Sequence, residues 1–70
     1  MISTETAIDI SSRAKALGLN VTQARLFAEK TLGQMVPVIG KLDESDAQKV
    51  ADALFQTLRN RGANQMAAQA

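Results

Sequence analysis

The chain contains no cysteine, no histidine, no tryptophan and no tyrosine; its aromatic side chains are two phenylalanines. Without cysteine it has neither a disulfide framework nor thiolate metal ligands, and without histidine the ordinary zinc sets are out of reach. General acid–base work falls to carboxylates or lysine, and nucleophilic work to serine or threonine. Proline occurs once and glycine four times in 70 residues, so turn chemistry is sparse. Charge of one sign is also missing: eight basic and seven acidic residues give a net +1, with no basic or acidic tail. No apolar stretch approaches the roughly 18 residues that span a bilayer, and the acidic N-terminal stretch MISTETAIDI lacks the basic region of a signal peptide. These features lead us to expect a soluble cytoplasmic protein with no membrane association and no cofactor.

What is present is helical. Strand alternation and two-residue glycine hairpins do not occur, and the expected fold class is all-α. Ala7, Ile10, Ala14 and Leu17 recur at intervals of three and four, predicting a helix over about 4–17, capped by Ser3 or Thr4 and closed by Gly18 with Leu19 folding back on Ala14. Asn20 and Gln23 have the spacing of a capping box and open a second helix at once. Its apolar stripe, Val21, Ala24, Ala28, Leu32, Met35, Ile39 and Leu42, predicts a helix over about 21–39, with a bend, break or end at Gly33 and Pro37. Ser45 and Gln48, with Asp43 as a competing cap, open a third helix over about 45–61, whose buried face is Ala47, Val50, Ala51, Leu54, Phe55 and Leu58. Acids at its start and Arg59 and Arg61 near its end suit the helix dipole, and Gly62 stops it. The expected architecture is a single helical domain over 1–62, a short helix followed by an antiparallel helical hairpin. Residues 63–70 form a tail, frayed or helical on a partner.

Seventy residues lie near the lower limit for a self-sufficient core. Twelve of the hydrophobic residues are alanines, which leaves few large side chains. The run LGQMVPVIGKL, 32–42, places apolar groups on every side of a helix there. It therefore predicts an interface built from Met35, Val36, Val38, Ile39 and Leu42, with Phe55 and Leu58 opposite, in a homo-oligomer, most simply a dimer, that also meets a protein partner. No catalytic, cofactor or metal site is expected: Asp43, Glu44 and Asp46 cluster as helix N-termini do, without the spacing of a calcium loop. The leading functional expectation is a small non-enzymatic, self-associating binding protein that acts as a regulator, inhibitor or assembly subunit.

One motif points to a different class. The stretch SRAKALGLNVTQARLF, 12–27, resembles the helix-turn-helix of DNA-binding repressors: Ala14 lies four residues before Gly18, Leu19 comes directly after the glycine, and Ala24 and Phe27 take the later buried positions. The resemblance covers about twenty of the residues. It implies a dimeric transcription regulator whose second helix offers Asn20, Thr22, Gln23 and Arg25 to base edges, with Arg13, Lys15 and Lys30 on phosphates.

Overall fold

The structure is a computed structural model in which the backbone of residues 2–69 and the side chains of residues 2–62 are described. It is all-α: three helices, α1 (Thr4–Ala16), α2 (Val21–Leu32) and α3 (Glu44–Gln69), with one 3-10 turn at Ile39–Lys41 before α3. No described residue is in a strand, and no helix among the described residues is long and apolar enough to cross a membrane.

The first two helices form as their punctuation dictates. Ser3 caps α1, its hydroxyl accepting the Thr6 amide at 3.2 Å. At the other end Gly18 has φ 76°, which a side chain would strain. The Leu19 amide reaches back to the Ala14 carbonyl at 2.9 Å and the Gly18 amide to Lys15 at 3.0 Å, the paired bonds of a Schellman ending. Asn20 then caps α2: its side chain accepts from the Gln23 amide at 2.8 Å, and the Gln23 side chain accepts from the Asn20 amide at 2.9 Å.

The second helix is shorter than its apolar stripe predicts. It ends at Leu32, not near residue 39, because Gly33 takes a left-handed conformation (φ 67°) and its amide closes on Glu29 at 2.8 Å. Pro37, four residues later, denies the chain a helical restart, and Val36 before it is held away from the helical region. Residues 34–38 are irregular and lead into the 3-10 turn. The run that looked apolar on every side is therefore a folded connection. Val36 is 1% exposed and Leu42 8%, both inside the chain's own core.

The third helix is longer than predicted. Gly62 does not stop it; the backbone stays helical through Gln69, so Arg59 and Arg61 lie in mid-helix and not at its negative end. Ala63, Met66, Ala67, Ala68 and the glutamines beyond Gly62 are strong helix formers that carry the backbone through it. The expected tail over 63–69 is thus helical in its backbone, while Ala70 lies outside the described residues. At its start the capping box on Ser45 is absent. Asp43 holds the position before the helix, with its carbonyl accepting from Ala47 at 2.9 Å, and Gln48 donates to Glu44 instead.

The core is built on α3. Ala47, Val50, Ala51 and Leu54 are buried there, joined by Ile10 and Leu17 from α1, Ala28 from α2, and Val36 and Leu42 from the connection. Both α1 and α2 pack on α3, and they touch each other only slightly.

Polar bonds lock α1 in place on α3. At one end Glu44 accepts from the Ser3 amide at 2.7 Å, from the Thr6 hydroxyl at 2.7 Å and from Gln48 at 3.0 Å. At mid-length Arg13 donates to the Ala51 carbonyl at 2.9 Å, and toward the far end Arg61 donates to Leu17 at 3.4 Å. Arg61 does serve a helix C-terminus, but that of α1.

Candidate binding groove

A bundle of three helices closes when each packs on both neighbours. Here the α1–α2 seam stays open. The facing positions are small: Ala7, Ser11 and Ala14 on α1 and Ala24 on α2 cannot span the gap between backbones that α3 and the four-residue turn have already fixed. A groove of about 540 Å³ results. Ile10 lies at its α1 side, Leu19 and Val21 at the turn end, and Ile2, Ile39 and Gly40 complete it.

Two features distinguish the groove. Val21 is 84% exposed at its edge, although the 3.6-residue stripe places that residue among the buried ones. An exposed branched aliphatic beside an apolar hollow loses water contact when a partner docks, at roughly 25 cal/mol per Å². The second feature is electrostatic: Lys15 is the one ionisable side chain among the described residues of the lining. It has no ion-pair partner among the described residues, where the pairs are Arg13–Asp9 at 3.9 Å and Lys49–Asp46 at 4.0 Å.

The polar cluster on the opposite side of α1 has a structural role. Its hydrogen bonds, first that from the Ser3 amide, then those from Thr6 and Gln48, lower the Glu44 pKa from 4.5 to about 2. A carboxylate held ionised in this way is a fixed acceptor and a poor proton donor at neutral pH. Among the described residues no three His, Cys, Asp or Glu side chains converge as metal ligands.

The residues singled out by sequence divide. Of the expected interface set, Val36 and Leu42 are core, Ile39 and Leu58 are half-buried against it, and Met35, Val38 and Phe55 are exposed at 85%, 49% and 44%. The structure thus removes two members from a shared surface and places Ile39 in the groove lining. Phe55, expected in the core, instead lies beside two guanidinium groups, Arg13 at 5.2 Å and Arg59 at 5.9 Å from the ring centroid. Of the DNA-contact set, Thr22 is exposed and Arg25 half-buried, while Asn20 and Gln23 are exposed but bonded to each other in the cap. Arg13, expected on phosphate, is occupied by Ala51 and Phe55.

The groove itself was not found from sequence. Its signal is the alanine and serine at facing positions of two successive helices, which leaves a seam that no large side chain fills.

No protein-family model, no curated protein and no solved structure matches this chain.

Proposed function

We propose that the chain is a small non-enzymatic binding protein that works through protein–protein contacts, as a regulator, inhibitor or assembly subunit, with the α1–α2 groove as its recognition surface. The observation that carries this reading is the open apolar seam with Val21 84% exposed on its edge. Chemistry supports it by subtraction: the sequence has no histidine or cysteine, and the Glu44 carboxylate, held well below its usual pKa, is pinned by hydrogen bonds between α1 and α3. A cytoplasmic setting is part of the proposal and accords with the lack of cysteine. The part played by self-association is narrower than the sequence implies, since Val36 and Leu42 are used inside the chain and, of the expected interface set, Met35, Val38 and Phe55 remain exposed for a second copy.

A second reading, a dimeric helix-turn-helix DNA-binding regulator, is favoured by the connection between α1 and α2, a four-residue turn with Gly18 at positive φ. It is weakened by the engagement of Asn20, Gln23 and Arg13 in intramolecular bonds.

Sedimentation of the purified chain with short duplex DNA at several salt concentrations separates the two. The protein-binding reading expects no co-sedimentation. A complex that weakens steeply with salt, and is lost on Thr22→Ala with Arg25→Ala, would replace it with the DNA reading.

A further inference from the structure

The groove has a length and a charge, and together they specify an occupant. Ala7, Ser11 and Lys15 lie on one line of α1 at four-residue intervals, so the α1 wall runs for about 12 Å at 1.5 Å per residue. Apolar anchors at i, i+4 and i+7 of a docked helix span about 10 Å, which fits that wall. Alanines at Ala7, Ala14 and Ala24 allow close backbone approach, as tight helix packing needs.

The charge selects among helices. Lys15 lines the groove, and the positions three and four residues away on either side, Ser11, Ser12, Gly18 and Leu19, carry no carboxylate to pair with it. The positive end of the α2 dipole also borders the groove at Asn20 and Val21, and the first turn of α2 has no acidic residue of its own. A groove with one unpaired cation, a positive helix end and no acid calls for a negative partner. A second copy docked groove to groove supplies no carboxylate to Lys15, because the described lining residues include no Asp or Glu.

We propose that the α1–α2 groove takes an amphipathic helix of another protein, its apolar anchors seated between Ala7, Ala14 and Val21 and a flanking carboxylate paired with Lys15. This rests on the protein-binding reading above and adds the sign and shape of the partner.

The test uses the full isotope-labelled chain and two synthetic amphipathic peptides of about 18 residues, long enough to hold a helix in water. Both carry leucines at i, i+4 and i+7; one is flanked by glutamates, the other by lysines. The proposal expects amide shifts at Ala7, Ser11, Lys15, Val21 and Ala24, with the acidic peptide binding about three- to fivefold more tightly than the basic one. Lys15→Gln removes that preference, and Val21→Ser weakens the acidic peptide about tenfold. Lys15 and Val21 are both exposed, so neither change disturbs folding, which unchanged thermal melting verifies. Equal affinity for the two peptides at the groove overturns the acidic assignment and leaves the groove as a protein-binding surface. Shifts confined to other faces, or groove shifts that track the concentration of the chain alone, overturn the proposal in favour of another surface or a second copy. The DNA sedimentation experiment decides the underlying reading independently.

Discussion

Gly62 provides a test in which local sequence and the folded chain predict opposite signs. If the third helix stopped there, Gly62 would hold a left-handed position, and alanine would cost about 1 kcal/mol or more. In the structure Gly62 is helical, is not at positive φ, and an added Cβ meets nothing within 4 Å. Alanine at an exposed helical site is worth about 0.8–1 kcal/mol over glycine. For a domain this small, 1 kcal/mol moves Tm by about 4–8 °C. Gly62→Ala is therefore expected to raise the thermal midpoint by about 3–8 °C, measured by circular dichroism, with a gain in helical signal. Gly18→Ala is the built-in control: φ 76° places it in the left-handed region, so the same substitution should lower Tm by a similar amount. A fall in Tm for Gly62→Ala would refute the continuous α3 and restore a stop at residue 62.

Other substitutions test the core and its fastenings. Val36→Asp should prevent folding, because it buries a carboxylate at a site 1% exposed, while Met35→Asp, at 85% exposure, should leave stability within about 0.5 kcal/mol; urea unfolding compares the two. Leu54→Ala, 1% exposed, removes about three methylene equivalents at roughly 0.8 kcal/mol each and leaves a cavity, for a total near 3–4 kcal/mol. That is about a third or more of the roughly 4–10 kcal/mol expected of a chain this size, so the urea midpoint is expected to fall by at least about a third. Asn20→Ala should cost about 1 kcal/mol by opening the capping box, read from the same unfolding curves. Because folding lowers the Glu44 pKa from 4.5 to about 2, its contribution is fully present above pH 4.5 and is lost as pH falls toward 2; Glu44→Gln should flatten that part of the stability profile.

Punctuation was legible where it acts within a few residues. The Gly18 ending and the Asn20–Gln23 box are short-range hydrogen-bond patterns, and both form at the positions their spacing predicts. The two remaining helix ends depend on the residues C-terminal to a glycine. After Gly33, Pro37 and the docking of Val36 into the core hold the chain out of helix; after Gly62, a run of helix formers continues it. Periodicity alone treats the two glycines alike.

The groove was illegible for a related reason. The stripe on α2 begins at Val21, yet which residues of a stripe are covered depends on where the neighbouring helix lies. Since α1 and α2 both lean on α3, the first turn of α2 projects past its cover, and Val21 is exposed while Ala24 and Ala28 are buried. Phe55 escaped the core in the same manner, at the edge of the α3 face, where Arg13 and Arg59 flank its ring.

The proposed binding role depends above all on the α1–α2 seam being open to solvent, which methyl resonances report in the presence of a soluble paramagnetic probe. Strong broadening of the Ala7 and Val21 methyls, with those of Val36, Val50 and Leu54 spared, is the predicted result. Protection of Val21 and Ala7 equal to that of Leu54, at every protein concentration, would mean that the seam is closed and that the groove does not exist.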